Sequence, residues 1–199
     1  MVKLVNQTIF AAKIKEKKLP LFTVSDIEAL FGLSKVAAIK LLHRYTRKRF
    51  TLRLKRGLYA LADVLPPELF IANKLYEPSY ISRELALSYH GVIPEAVYEI
   101  TSVTPKATRR FMKLNKIYSY RKIKPAAFTG YAIGKQDGLS FRIADAEKAF
   151  VDANYFRLLD GFKPLTRFNK EKINPAKALR YASLLNKENL YKIIKTTLK

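Results

Sequence analysis

SKVAAIKLLHRYTRKRFTLRLKRGLYAL, Ser34–Leu61, carries nine Lys or Arg, and no acidic residue falls between Glu28 and Asp63. Wound at about 100° per residue from Ser34 to about Lys48, it separates into two faces. Ala38, Leu41, Leu42 and Tyr45 lie on one side and Lys40, Arg44, Arg47 and Lys48 on the other, with His43 and Ala37 between or beside them. Ser34 is suited to cap that helix. Beyond it, Thr51–Leu61 alternates polar and apolar residues and is interrupted at Lys55-Arg56-Gly57, where Gly57 permits the tight turn of a β-hairpin.

The residues upstream complete the pattern. Thr23 is a good helix N-cap with Asp26 three positions on. Val24, Ile27, Leu30 and Phe31 follow at helical spacing, and Gly32 ends the segment as a C-terminal glycine should. Earlier, Leu4, Ile9, Ala12 and Ile14 recur at loose helical intervals over residues 4–14, and Pro20 closes that run. Helix, short capped helix, turn, basic helix and basic hairpin predict a winged helix-turn-helix over residues 1–62.

After Asp63 the charge run stops and Pro66-Pro67 marks a boundary, so residues 63–199 form a second domain. It reads as mixed: helical at Glu68–Tyr76, Ser82–Tyr89, Asp145–Leu159, Pro175–Leu184 and Glu188–Leu198. It reads as extended at Val97–Val103, Ile117–Ile123, Tyr131–Ile133 and Leu139–Ile143. The fold class expected is α+β, an N-terminal winged helix-turn-helix followed by a mixed α/β C-terminal domain. At 199 residues and 49% hydrophobic, the chain is long enough to bury a core in each part.

Charge narrows the function. Thirty-eight Lys and Arg against 16 Asp and Glu leave a formal net charge of +22, which makes a polyanion the first partner to consider. A charged side is common on any surface helix; here the charge is of one sign and follows a capped short helix and a glycine turn. A helix of this length spans about 21 Å, and its basic face fits a major groove about 12 Å wide. The expected DNA-binding residues are Ser34 and Lys35 at the leading end, then Lys40, His43, Arg44, Arg47 and Lys48. Arg53, Lys55 and Arg56 of the hairpin would grip an adjacent backbone or minor groove. His43 beside so many cations reads as a phosphate or base contact, not a catalyst.

A second basic surface lies at Lys106, Arg109, Arg110, Lys113 and Lys116. It belongs to a Pro105–Lys124 stretch that also holds Arg121, Lys122 and Lys124 and no acid. It reads either as a functional surface or as a lysine-protected strand edge, and Tyr118 and Tyr120 on one strand face read as core.

Absence of cysteine excludes disulfides, thiolate metal sites and a Cys nucleophile. No apolar run approaches a membrane-spanning length and the N-terminus lacks a cleavage site, so a cytoplasmic location without a membrane partner is expected. Asp145, Glu147, Asp152, Glu95 and Glu99 are the acids a metal-dependent nuclease would need. Glu147 and Asp152, five apart, share a helix face poorly and fit structural salt links better. His90 before Gly91 reads as a helix-end group. No catalytic residue, metal or cofactor is expected. An RNA-binding or ribosome-associated protein is the alternative reading, because charge alone does not separate DNA from RNA.

From Arg56 onward the blocks RGLYAL (56–61), PPELFIANKLYEPSYISRELALSYHGVIPEAVYEITSVTPKATRRF (66–111), YSYRKIKPAAFTGY (118–131) and FRIADAEKAFVDANYF (141–156) follow in order. Together they resemble the AbiEi antitoxin family, predicted regulators of viral defence. The segments ANKLYEPSYIS, ALSYHGVIPE and AEKAFVD carry most of that similarity. The resemblance implies a two-part antitoxin of a toxin-antitoxin system. Its winged domain would repress its own operon at inverted repeats of double-stranded DNA, and its C-terminal domain would counteract a nucleotidyltransferase-like toxin encoded beside it, with or without direct binding.

Overall fold

The computed structural model describes residues 5–199. The chain divides into two compact units, one ending at Pro66 and the other running Pro67–Lys199. Together they form a mixed α+β protein: helices with a small three-stranded sheet first, then a six-stranded sheet with helices. Among the described residues no helix is long and apolar enough to cross a membrane.

The first unit runs α1 (Gln7–Glu16), β1 (Phe22–Thr23), α2 (Val24–Phe31), α3 (Lys35–Arg47), β2 (Thr51–Lys55) and β3 (Leu58–Leu61). The spacing predicts the first helix over residues 4–14; Leu4 lies outside the described residues, and the helix begins at Gln7. Asn6 sets its start, because its side chain accepts the Ile9 N–H at 2.8 Å and leaves Gln7 as the first helical residue.

Local chemistry fixes α2 at both ends. Thr23 and Asp26 form a reciprocal capping box, Thr23 N–H donating to Asp26 Oδ2 at 2.7 Å and Asp26 N–H to Thr23 Oγ1 at 3.2 Å. Gly32 closes the helix in the left-handed region at φ +62°, which glycine adopts without a Cβ penalty. Two residues later Ser34 caps α3, so the α2–α3 turn is short and its geometry is set by side chains of known preference.

One core holds these elements together. Phe10 of α1 stacks on Phe31 at 5.4 Å and meets Phe22 and Tyr45 edge-on, and Ile14, Ile27, Ala38, Leu41, Leu42, Tyr59 and Leu61 close around it. Tyr45 OH donates to Val5 O at 2.6 Å, and burial pushes its phenol above the ordinary value. The antiparallel sheet has the order β1-β3-β2, with Phe22 opposite Tyr59 and Thr51 opposite Leu61, so α3 feeds directly into a hairpin turned at Gly57, φ +79°.

The second unit follows with α4 (Glu68–Leu75), β4 (Tyr80–Ile81), α5 (Arg83–Tyr89), β5 (Ile100–Thr104), β6 (Arg109–Lys113) and β7 (Lys116–Lys122). Then come β8 (Tyr131–Gln136), β9 (Leu139–Ala144), α6 (Ala146–Leu159), α7 (Pro175–Ser183) and α8 (Glu188–Thr197). The sheet order is β6-β7-β5-β4-β9-β8, with β5 parallel to β7, β4 parallel to β9 and the other neighbours antiparallel. Residues 97–99, expected as the start of a strand, precede β5.

Buried polar chemistry pins α6 to the middle of this sheet. Asp152 and Lys148, both fully buried, form an ion pair one helical turn apart. Asp152 also accepts from Tyr80 OH at 2.9 Å and Ser82 Oγ at 2.8 Å, so the helix is tied to β4 and its flank. Asp145 caps α6 at its N-terminus, and Lys177 of α7 bridges Asp145 at 3.1 Å and Glu147 at 2.9 Å.

Candidate nucleic-acid interface

The two faces of α3 place the candidate residues. Ala38, Leu41, Leu42 and Tyr45 are buried, as the periodicity predicts, and Lys40, His43, Arg44, Arg47 and Lys48 are exposed. At 100° per residue, Val36, Lys40, His43 and Arg47 follow i, i+4, i+7 and i+11 and point straight away from the core. Arg44 sits on a flank, its guanidinium 5.5 Å from the centre of the Tyr45 ring.

On the opposite flank a groove of about 480 Å³ opens between α3 and the β2–β3 hairpin. Lys35, Ile39, His43 and Thr46 line it from the helix, Arg53, Arg56, Gly57 and Tyr59 from the hairpin, and Val24 from α2. The fold therefore brings Lys35, His43, Arg53 and Arg56 into one cleft. Ser34 is engaged as the α3 cap, with Oγ accepting the Ala37 N–H at 3.3 Å. Lys55 is half-buried, at the irregularity where β2 shifts register against β3.

None of Lys35, Lys40, Arg44, Arg47, Lys48, Arg53 and Arg56 is in an ion pair among the described residues. Cations of one sign concentrated beside a groove attract polyanions.

The second basic surface behaves differently. What reads in the sequence as loop and strand edge is the edge strand β6 with its neighbour β7, and the fold supplies acids that the local sequence lacks. Lys116 Nζ lies 2.6 Å from Glu68 Oε2, and Arg121 makes two bonds to Asp160, at 2.7 and 2.8 Å, over the Phe156 ring. That Arg121 contact holds the Asp160 carboxyl below its ordinary value. Arg110 is 3.9 Å from Glu99, and Lys106 Nζ donates to Glu77 O at 2.6 Å. Arg109 and Lys113 remain along the edge, where cations also deter strand pairing.

The acids considered for catalysis have structural partners: Asp145 and Glu147 with Lys177, Asp152 with Lys148, and Glu95 with Arg167 at 3.5 Å. Burial works to raise the Glu147 carboxyl, but bonds from Lys177 and the Asn174 N–H outweigh it and hold the group below its ordinary value. Among the described residues no group of three or more His, Asp or Glu is placed to hold a metal ion. His90 ends α5 as expected, but its Nε2 reaches Ala144 O at 2.8 Å and ties α5 to the end of β9.

Two apolar residues that the sequence reading does not place stand exposed on α3, Val36 on the outward face and Ile39 in the groove. Val36 is 62% exposed and Ile39 46% exposed, beside the cations. The signal was available: both fall on the polar arc of the helical wheel. No protein-family model matches this sequence, and no curated protein matches it either.

Proposed function

We propose that residues 5–66 form a winged helix-turn-helix that binds double-stranded DNA, with α3 as the recognition helix and the β2–β3 hairpin as the wing. The observation that carries this reading is the set of seven cations of α3 and the hairpin, none of them in an ion pair among the described residues, beside and within the groove between them. The element order, the capped α2–α3 turn and the three-stranded antiparallel sheet support it.

The resemblance of residues 56–156 to AbiEi antitoxins supports the wider reading. The chain is then a cytoplasmic, non-enzymatic transcriptional repressor of an antitoxin type. It autoregulates its operon at inverted repeats, while the second unit counteracts a nucleotidyltransferase-like toxin. On that reading residues 67–199, expressed alone with the toxin gene neighbouring this one, restore growth, and residues 1–66 do not. Colony counts under toxin induction decide it; rescue by the first unit alone contradicts the division of labour.

Helix and wing have separate tasks. Lys40 is central on the outward face, in position for base edges, and Arg44 follows a turn further on at the flank of that face, while Arg53, Lys55 and Arg56 suit the backbone or minor groove. Lys40→Ala or Arg44→Ala should cost about 1–3 kcal/mol on a duplex selected for tight binding and much less on random duplex. Wing substitutions should weaken both alike. Isotherms for each variant on both duplexes check this, and equal losses from Lys40→Ala on both would reassign α3 to phosphate clamping.

A further inference from the structure

The leading end of α3 carries an apolar feature that a purely phosphate-binding helix does not need. Val36 and Ile39 are the second and fifth residues of the helix, and 62% and 46% of their surfaces stay exposed. β-Branched residues are mediocre helix formers, and leaving them in water forgoes the gain from burial. They lie among Lys35, Lys40 and His43, so whatever covers them must also accept positive charge. That combination disfavours an apolar protein groove and matches the floor of a major groove, where phosphates flank base edges.

In the major groove the principal apolar group is the C5-methyl of thymine, and the N-terminal residues of a recognition helix are the ones that reach base edges. We infer that Val36 and Ile39 are specificity-determining residues that read thymine methyl groups, so that the preferred half-site contains thymine where the N-terminus of α3 enters. Ile39 lines the groove toward the wing and Val36 points outward, so the two meet different base steps. This rests on the reading of the first unit as a DNA-binding domain.

The test is to enrich a preferred duplex from a random library with the full chain, then synthesise that duplex with thymine or with uracil, which removes only the methyls. The wild type should bind the uracil form more weakly, by about fourfold for each contacted thymine. Val36→Ser/Ile39→Ser, with unchanged circular dichroism, should bind both forms equally and near the wild type's uracil affinity.

Equal wild-type affinity for the two forms overturns the inference while leaving DNA binding intact. A thymine preference that persists in the double variant overturns it too, since the methyls would then act through duplex shape. Self-association of the wild type without DNA, lost in the double variant, assigns the pair to a second copy of the chain and overturns it. Absence of duplex binding at any salt concentration removes both the inference and the reading beneath it.

Discussion

Asp152→Ala is expected to destabilise the second unit by about 3–5 kcal/mol, the range for breaking one side of a buried ion pair. Thermal unfolding should fall by on the order of 10 °C. The carboxylate is fully buried and holds the Lys148 ammonium, the Tyr80 phenol and the Ser82 hydroxyl at once. Its loss leaves an ammonium without a counter-charge in a place water does not reach, and releases α6 from the sheet. The phenol of Tyr80 is pushed well up, by its burial first and by the Asp152 charge next, so it remains a donor to that carboxylate. Removing the charges together, as Lys148→Met/Asp152→Leu with Tyr80→Phe, leaves only the Ser82 hydroxyl unsatisfied and should cost about 1–3 kcal/mol. Denaturant or calorimetric unfolding of the two variants checks the contrast. An Asp152→Ala protein within about 1 kcal/mol of the wild type would show that the network does not pin the helix.

Arg53→Glu/Arg56→Glu should lower affinity for duplex DNA by about a hundredfold or more at 0.1 M salt, because each phosphate contact contributes nearly tenfold there through counterion release. Both residues are exposed on the hairpin beside Gly57, and neither is in an ion pair among the described residues. Stability should change little, since surface substitutions away from special features move it by about 0.5 kcal/mol or less. The dependence of log K on log salt should become shallower by about 2. The same double reversal at Arg110 and Lys116, partnered by Glu99 and Glu68, serves as the comparison. If it weakens binding as strongly, the interface is not confined to the first unit.

What was legible in the sequence was local. The Thr23–Asp26 capping box, Gly32, Ser34 and the alternation around Gly57 each act within a few residues of the structure they specify, and the elements of the first unit stand close to where those signals put them. Strands β1 and β4 have two residues each, too few for any period to register. β6 is a strand because β7 pairs with it, and its composition, RRFMK, reads as a charged loop. The acids that pair with Lys116 and Arg121 lie 48 and 39 residues away in the chain, beyond the reach of any local pattern. The exposure of Val36 and Ile39 is implicit in the wheel that exposes Lys40, although their apolar character by itself points to a core.

The measurement closest to the central claim is a titration of a labelled mixed-sequence duplex with the full chain between 0.05 and 0.4 M salt, as ranges that span the steep region of counterion release. A structured RNA of equal charge serves as competitor. With about six phosphate contacts, log K should fall against log salt with a slope of roughly −5, and the duplex should outcompete the RNA. A slope near zero, or an RNA that displaces the duplex at equal concentration, would contradict the assignment of α3 and the hairpin as a reader of double-stranded DNA.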